Sequence, residues 1–393
     1  MTCASAAPPL RGRAEPEVVE DAALAWDDEG RVTYAGPRDA YEGPLDERFA
    51  GAAIVPGFVD CHTHLPFVGW RDDEHEARLA GRSYRDLHGE GGIRRSARML
   101  AEASDDQVLA FSRDLTDEML AHGTTALELK TGYGLSIEAE LRQARLARRL
   151  ADEIPQTAIV TLLVAHAVPP GWRREDWVRA ACDELIPAAA AEGLADAVDV
   201  YVEDIAFTVE DLREIAHAAF ARGLPVRCHA DQLGSSQAAE VAAAIGARSA
   251  DHLNHVSRAG VQALGREDTA AVLLPTSTLM LRAQAPPVAD LADAGAALAL
   301  ATDANPGTSP VVSMPEAIAV GCALYGLAPL AAIAAATINA AWVLGLDDRL
   351  GSIERGKRAD FLVLDAPHPR AVAYRPGHDP VKAVYLNGEP VAP

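Results

Sequence analysis

The feature that most constrains the fold is an alternation that recurs along the middle of the chain. Short apolar runs, many of them β-branched, are each followed by a segment with apolar residues at helical spacing, such as 136–151, 209–221 and 235–245. The eight apolar runs are 55–59, 124–129, 158–164, 197–202, 224–228, 249–250, 271–274 and 297–301. Strands that alternate with helices favour a parallel sheet, and eight such units predict an α/β fold of the closed (β/α)8 type, a TIM barrel.

The two ends of the chain predict a second, smaller unit. Short strand-like runs at 22–26, 31–35, 361–364 and 381–386 are separated by turns rich in Gly, Pro, Asp and Asn. Neither end is long enough to bury a core alone. We therefore expect residues 1–55 and 347–393 to form a composite β-sandwich domain beside a barrel of residues 56–346.

Ionisable residues follow seven of the eight predicted strands. In order along the chain they are His62 and His64, Lys130, His166, Glu203, His229, His252 and Asp303. The active site of a (β/α)8 barrel lies at the C-terminal ends of its strands, and five of the chain's twelve histidines occupy these positions. Any one of them can be a hydrogen-bonded polar residue at a strand end, but the whole set indicates a functional site.

The pair His62 and His64 suggests a metal ion. Residues i and i+2 of a strand point to the same side, so both imidazoles face one spot. Imidazole is the commonest protein ligand of zinc and similar ions. The alternative, two hydrogen-bonded histidines without a metal, is not excluded by the pair alone.

Charge and cysteine content restrict the partners and the compartment. The chain has 57 acidic and 35 basic residues and a formal net charge of −22, which argues against binding to nucleic acid or to an anionic membrane surface. Its five cysteines are scattered and odd in number, so we expect no disulfide framework and a reducing, cytoplasmic location. No segment is predicted to span a membrane, and residues 1–13 do not resemble a signal peptide.

Several motifs together resemble the amidohydrolase superfamily. They lie at 56–64 (Pro-Gly-Phe-Val-Asp-Cys-His-Thr-His), 67–74, 128–135, 165–170, 229–233, 249–253 and 301–310, and the likeness continues to 356–360. The narrower likeness is to the ring-opening hydrolases of histidine degradation. Its most specific blocks are Lys-Thr-Gly-Tyr-Gly at 130–134 and Thr-Asp-Ala-Asn-Pro-Gly-Thr-Ser-Pro at 302–310.

The resemblance implies a site for one divalent metal ion, zinc or iron. His62, His64, His229 and Asp303 would bind the ion, and His252 would lie beside the reactive water. The residues implied to hold substrate or product are Arg71, Tyr133, His166, Gln232, Asn305, Gly307 and Thr308. Whether His252 or Asp303 is the general base stays open, and a His₃Asp set suits both metals.

These residue types suit the hydrolysis of a cyclic amide that carries a propionate. A bound divalent ion lowers the pKa of water and polarises a carbonyl group. A small substrate with a carboxylate needs a dedicated cation in an acidic protein, and Arg71 offers a bidentate fork. Structural alternatives remain at each position: a surface arginine for Arg71, a turn for Asp303 and for 305–308, a strand cap for His166 and a helix cap for Gln232.

Other functions also remain open. Related enzymes act on a different cyclic amide or deaminate a nucleobase-like ring, and segments 232–237, 254–255 and 276–282 depart from the pattern usual in the family. A catalytically silent metal- or metabolite-binding protein and a purely structural barrel are rivals from other classes. Lys130 could bridge a second metal, but the resemblance favours one ion, with Lys130 paired to Glu128 or Glu203. A homodimer is a further hypothesis.

Overall fold

The structure, a computed structural model, describes residues 1–3, 8–46, 48–83, 86 and 91–391. The strands in these residues are β1 (Thr2–Cys3), β2 (Glu17–Val18), β3 (Ala22–Trp26), β4 (Val32–Pro37), β5 (Ile54–Pro56), β6 (Phe58–Asp60), β7 (Thr124–Lys130), β8 (Thr157–Ala165), β9 (Ala197–Val202), β10 (Val226–Ala230), β11 (Ser249–His252), β12 (Ala270–Leu273), β13 (Leu298–Leu300), β14 (Phe361–Leu364), β15 (Val381–Leu386) and β16 (Glu389–Val391).

The α-helices of the same residues are α1 (Asp72–Leu79), α2 (Gly92–Glu102), α3 (Asp105–Ala121), α4 (Ile137–Glu153), α5 (Arg174–Ala180), α6 (Ile186–Ala191), α7 (Val209–Phe220), α8 (Ala238–Ala244), α9 (Arg258–Arg266), α10 (Pro275–Leu281), α11 (Val288–Asp293), α12 (Met314–Tyr325), α13 (Pro329–Ala335) and α14 (Ile338–Leu344). A π-helical turn (Ala181–Leu185) joins α5 to α6, and two 3₁₀ turns span Arg38–Ala40 and Pro369–Ala373. Within the described residues, none of the helices combines the length and apolar character needed to cross a bilayer.

Strands β6 to β13 form one parallel sheet in which spatial order follows sequence order. The two edges of this sheet meet. The amide of Asp303, after β13, donates to the carbonyl of His62, after β6, at 3.0 Å, and the amide of His64 donates to the carbonyl of Ala304 at 2.9 Å. The sheet is therefore closed, and the predicted (β/α)8 fold is confirmed.

Local sequence explains how the outer helices begin and pack. Ser104 and Gln107 form a capping box at the start of α3, and Thr208 and Asp211 form one at the start of α7. The apolar side chains of these helices point towards the strands and are buried there. The main hydrophobic core thus lies between strands and helices, while the inside of the barrel holds buried charged residues.

The first predicted strand, 55–59, is wrong as a single element. Ile54–Pro56 (β5) pairs antiparallel with β14, whereas Phe58–Asp60 (β6) pairs parallel with β7. The chain changes sheet at Gly57, where a Cβ would lie 2.1 Å from Oγ1 of Thr125. The apolar run could not show this change, because the strands on both sides of Gly57 are buried.

Two other predicted strands end two residues too early. β10 runs over Val226–Ala230 and not over 224–228, and β11 extends to His252. His229 and His252 therefore lie at the ends of strands β10 and β11 and not in the loops after them. Both imidazoles still lie at the C-terminal side of the barrel, where the strand-end argument expects them.

Strands from both chain ends form the second unit. β5 joins a four-stranded antiparallel sheet in the order β16-β15-β14-β5, and β3 pairs with β4 in a separate hairpin. The hairpin packs on the sheet through Trp26, whose ring centroid lies 5.3 Å from that of Phe361 and 6.1 Å from that of Tyr385. Two facing β layers make a small sandwich, as expected. The boundaries at residues 55, 56, 346 and 347 stay a prediction.

A histidine–aspartate pair joins the barrel to the segment before β15, and it predicts a pH-dependent stability. His122 Nδ1 lies 2.9 Å from Asp379 Oδ2, and this hydrogen bond raises the pKa of His122 above its usual 6.5. A raised pKa in the folded chain gives stability that is fully present below pH 6.5 and is lost as the pH rises through the raised value.

We expect His122→Ala to lower the free energy of unfolding by about 0.5 kcal/mol at pH 5.5, since the pair is partly exposed and screened. The loss should shrink at pH 9. Urea unfolding at both values measures the difference. His217→Ala, at an exposed position on α7, is the control, and an equal loss for His122→Ala at both pH values would contradict the prediction.

Candidate active site

The four residues predicted to bind a metal ion lie together at the C-terminal end of the barrel. His62 and His64 follow β6, His229 lies in β10 and Asp303 follows β13. Oδ1 of Asp303 lies 3.3 Å from Nε2 of His64 and 3.6 Å from Nε2 of His62. Nε2 of His229 lies 3.4 Å from Nε2 of His64. All four side chains are buried. Their ligand atoms belong to two overlapping groups that share His62, one with His64 and Asp303 and one with His229 and His252, and within each group the atoms lie within 4.8 Å of one another.

Two further carboxylates orient the imidazole rings. Oδ2 of Asp251 lies 2.6 Å from Nδ1 of His62, and Oδ1 of Asp199 lies 3.1 Å from Nδ1 of His229. A carboxylate accepts a hydrogen bond, so each Nδ1 carries the proton and each Nε2 keeps its lone pair. Nε2 of His62 is buried and has no hydrogen-bond partner among the described residues. Three imidazoles and one carboxylate arranged in this way fit a divalent cation.

Burial keeps the imidazoles in the form that binds metal ions. It lowers the pKa of His62 and of His64 well below the usual 6.5, and the neighbouring charges of Lys130 and His229 act in the same direction. A neutral imidazole is the metal-binding form, so protons compete little for these rings at neutral pH. Burial also raises the pKa of Asp303 above its usual value.

His252 and Asp303 share an unusual backbone conformation. Their φ angles are 78° and 55°, in the left-handed region that non-glycine residues rarely adopt and that is enriched at functional sites. The ring centroid of His252 lies 5.4 Å from that of His229. Burial lowers the pKa of His252 to about 3, although the Asp303 carboxylate acts in the opposite direction. At neutral pH His252 is therefore a neutral base beside the cluster.

A small cavity lies beside the four clustered residues. Three of the four, His64, His229 and Asp303, and also His252 are in its wall, together with Arg71, Ile93, Tyr133, His166, Tyr201, Gln232, Asn305 and Thr308. Six of the seven residues predicted to hold substrate are in this wall, and Gly307 is not. The cavity has a volume of about 30 Å³, room for about one water molecule.

Arg71 is a buried cation in the cavity wall and not a surface arginine, since it is only 3% exposed. Its Nη1 donates to the carbonyl of Gly92 at 2.6 Å and to Oγ of Ser96 at 2.7 Å, and its Nε lies 3.2 Å from Oε2 of Glu74. Gly307 packs against the guanidinium, because a Cβ there would lie 2.0 Å from Nη2 of Arg71. Gly307 thus leaves space for Arg71.

Asn305 holds the turn that follows Asp303. Its Oδ1 accepts hydrogen bonds from the amides of Gly307 and Thr308 at 2.9 and 2.8 Å and from the Thr308 hydroxyl at 3.0 Å. Its Nδ2 donates to the carbonyl of Asp303 at 2.6 Å. These contacts serve the turn itself and support the backbone of Asp303. A direct role of the three turn residues in substrate binding stays a prediction.

Tyr133, His166 and Gln232 border the cavity on the side of β7, β8 and β10. Nδ1 of His166 lies 3.0 Å from the carbonyl of Gly132, which can only accept, so Nε2 keeps its lone pair. The ring of His166 stacks on His64 with centroids 5.2 Å apart and an interplanar angle of 19°. Gln232 does not cap α8, which begins six residues later at Ala238, so the helix-cap alternative is wrong.

Four residues of this site were not predicted from the sequence: Ile93 and Tyr201 in the cavity wall, and Asp199 and Asp251 beside the histidines. The two aspartates lie inside strands that are buried along their whole length. A charged residue in such a strand is costly without a partner, and that was the available signal. Lys130 pairs with Glu128 at 3.1 Å and also with Asp199. The alternative partner Glu203 instead accepts from the amides of Gln232 and Leu233, so that pairing is wrong.

The segments that depart from the family pattern lie mostly behind the cavity. Nδ2 of Asn254 donates to Oγ1 of Thr278 at 3.0 Å and to the carbonyl of Gln284 at 2.8 Å. The hydroxyl of Tyr325 donates to the same Thr278 oxygen at 2.7 Å. Apart from Gln232, the residues of these segments are not in the cavity wall. Thr278 of α10 is thus held by hydrogen bonds from Asn254 and Tyr325.

The closed barrel and the cluster of three histidines and one aspartate at its C-terminal end define a class, the barrel hydrolases with a metal-binding site. The Amidohydrolase family matches residues 53–391. Imidazolonepropionase of Rubrobacter xylanophilus is 43% identical over 393 residues, which cover 97% of this chain and 94% of that protein. Imidazolonepropionase of Pseudomonas aeruginosa strain UCBPP-PA14 is 42% identical over 95% of this chain and 94% of that protein. The chain belongs to the amidohydrolase family and, within it, to the imidazolonepropionases.

Solved structures agree on the fold. A 5-methylcytosine deaminase from Klebsiella pneumoniae superposes with a TM-score of 0.75 at 17% identity, covering 96% of this chain and 94% of that chain. A guanine deaminase from E. coli superposes with a TM-score of 0.68 at 16% identity, covering 93% of this chain and 92% of that chain. At such low identity these likenesses support the barrel and its flanking domain and carry no argument about substrate.

Proposed function

We propose that the chain hydrolyses 4-imidazolone-5-propanoate to N-formimidoyl-L-glutamate, a ring opening in histidine degradation, as the names of its relatives indicate. The oxygen of water bonds to the ring carbonyl carbon, the bond from that carbon to the ring nitrogen breaks, and the nitrogen takes up a proton. The observation that carries the proposal is that buried Arg71 shares one cavity with His64, His229 and Asp303. A cation for the propionate thus lies beside a metal-binding cluster.

The metal-binding residues have a defined part in this proposal. His62, His64, His229 and Asp303 would hold one divalent ion, zinc or iron. When bound, such an ion lowers the pKa of water and polarises a carbonyl oxygen. His252 and Asp303 border the same cavity, so each can take the proton that water loses and return it to the leaving nitrogen. The low pKa of His252, about 3, keeps its imidazole neutral and able to accept.

The remaining wall residues have binding roles. The Arg71 guanidinium would pair with the propionate carboxylate in a two-pronged contact. Tyr133, His166 and Gln232 offer a ring, an imidazole nitrogen and an amide that would hold the planar imidazolone. Substrate in this proposal is a small carboxylic acid, and neither nucleic acid nor membrane takes part. We further propose a cytoplasmic location; a homodimer remains a hypothesis for sedimentation analysis.

Removal of the metal tests the proposal. Dialysis against a strong chelator should abolish ring opening, and one equivalent of zinc or ferrous ion per chain should restore it. Formation of N-formimidoyl-L-glutamate, followed by mass spectrometry, measures the activity, and elemental analysis measures the metal. Full activity in metal-free protein would contradict the metal centre. A metal-loaded protein that is inert towards this substrate but active on another cyclic amide or a nucleobase would move the assignment to a different amidohydrolase.

A further inference from the structure

Four charged residues form a continuous chain inside the barrel, on the side of His229 away from the cavity. They are Arg227, Glu128, Lys130 and Asp199, and each is at most 2% exposed. Arg227 Nη1 pairs with Oε1 of Glu128, and Oε2 of Glu128 lies 3.1 Å from Nζ of Lys130. Lys130 Nζ pairs in turn with Oδ2 of Asp199. Barrel interiors are usually packed with branched apolar side chains, so this buried ion-pair chain needs an explanation.

The chain ends on the metal-binding cluster. Asp199 uses its two oxygens for different partners: Oδ2 takes the ammonium of Lys130, and Oδ1 lies 3.1 Å from Nδ1 of His229. A carboxylate with one oxygen held by a fixed cation can turn little about its last bond, so its other oxygen stays directed at the imidazole. The orientation of His229 is therefore tied to the position of Lys130.

We propose that Lys130 is a positioning residue for the metal centre, acting through Asp199 to hold His229 with its Nε2 lone pair facing the cation. The inference rests on the proposed metal site. It assigns Lys130 a role that does not require the lysine to touch a metal ion or substrate.

The surroundings of Lys130 favour this role over that of a metal bridge. A lysine becomes a metal-bridging group only after its neutral amine reacts, and two carboxylates hold this amine as an ammonium ion. Burial would lower the pKa of Lys130, but the charges of Asp199 and Glu128 outweigh burial and raise it. The ammonium is thus a permanent counter-charge for the carboxylate that contacts His229.

The other oriented ring supplies an internal comparison. His62 is held by Asp251, whose Oδ2 lies 2.6 Å from Nδ1 of His62. Among the described residues, the ion pair of Asp251 is with His62, so no lysine clamps this aspartate, although the Ser249 hydroxyl and the charge of Lys130 both act on it. If Lys130 acts through Asp199, substitutions at 130 and 199 should depend on each other strongly, whereas substitutions at 130 and 251, which share only a through-space charge interaction, should be coupled much less.

A double-mutant cycle on zinc affinity tests the proposal without using activity. Zinc affinity is measured by competition with a chromophoric chelator for wild type, Lys130→Met, Asp199→Asn, Asp251→Asn and the two double variants that contain Lys130→Met. Removal of a residue that orients a ligand typically weakens metal binding by about ten- to a hundredfold. We expect losses in this range for Lys130→Met and Asp199→Asn. The double variant Lys130→Met with Asp199→Asn should bind zinc no more weakly than the weaker of its two single variants. Lys130→Met with Asp251→Asn should instead lose affinity by close to the product of the two single losses.

Folding of each metal-free variant is checked by circular dichroism and thermal unfolding. Lys130→Met leaves Oε2 of Glu128 without its cation, although Oε1 keeps Arg227. If that variant does not fold, Lys130→Met with Glu128→Gln takes its place in the cycle. Unchanged zinc affinity in the Lys130 variants, or in Asp199→Asn, would overturn the inference. The inference would also be overturned if the double variant of positions 130 and 199 lost zinc affinity by the product of the two single losses. Failure of the wild-type chain to bind zinc or ferrous ion would instead overturn the metal centre and the proposed function.

Discussion

Asp303→Asn is expected to lower kcat/KM for ring opening by roughly a thousandfold, about 4 kcal/mol of transition-state stabilisation. Oδ1 of Asp303 lies 3.3 Å from Nε2 of His64 and 3.6 Å from Nε2 of His62, so the carboxylate is at the centre of the cluster. Asparagine has the same shape but no negative charge to offer a cation. The same substitution removes one of the two groups that can accept the proton of water. Both losses act on the same step, which makes this the largest effect we expect.

The metal content of Asp303→Asn shows whether its loss of activity comes from a lost metal ligand or from a lost proton acceptor. Elemental analysis of Asp303→Asn should show much less than one equivalent of metal, and excess zinc should restore binding only in part. His217→Ala, at an exposed position of α7, should leave metal and rate unchanged. A variant with full metal content and no activity would remove Asp303 from the ligand set and leave it as a proton acceptor. Near-normal activity would contradict both assignments.

Arg71→Ala is expected to raise KM by about a hundredfold while changing kcat much less. Loss of one partner of a buried charged contact costs about 2–5 kcal/mol, and a carboxylate distant from the reacting carbonyl is bound equally in ground and transition states, so its loss appears in KM. The guanidinium is 3% exposed and lines the cavity. Steady-state rates with imidazolone propionate and with the same ring carrying a propionamide measure the effect. Only the acid should lose affinity.

Two further variants sharpen this prediction. Arg71→Lys keeps the charge but not the planar fork, so its KM should lie between those of wild type and Arg71→Ala. Arg222→Ala, at an exposed position, is the matched arginine control. Because Arg71 also pairs with Glu74, unfolding curves must show that Arg71→Ala is folded. Equal losses for the acid and the amide would show that Arg71 supports the pocket and does not recognise the carboxylate.

The barrel was predictable because its signal is repeated. Eight apolar runs alternating with helical segments leave few folds that can bury them all, and errors of two residues in 224–228 or 249–250 did not change the count. The break at Gly57 was not predictable, since β5 and β6 are both apolar and adjacent. Periodicity reports burial and not the sheet in which a strand is buried.

The candidate site, like the fold, could be predicted from the sequence only in part. His62, His64, His229, His252 and Asp303 could be placed together from the sequence, because parallel strands of a barrel bring their C-terminal ends to one face. The hydrogen-bond partners that orient these residues could not be predicted from the sequence. Asp199 contacts His229 from the neighbouring strand β9, and Asp251 contacts His62 across the barrel. The separation of two residues along the sequence does not reveal such contacts.

The sequence by itself determined which chemical groups reach the end of the barrel, since strand order and strand ends follow from the repeating pattern. Only the tertiary structure decided how those groups are oriented and charged. Ring direction depends on the carboxylates that hold each Nδ1, and pKa values depend on burial. The tertiary structure also showed that Gly307 makes room for Arg71 and that Lys130 is paired with Glu128 and Asp199. Orientation and burial arise from contacts between segments distant in sequence, and local patterns do not encode them.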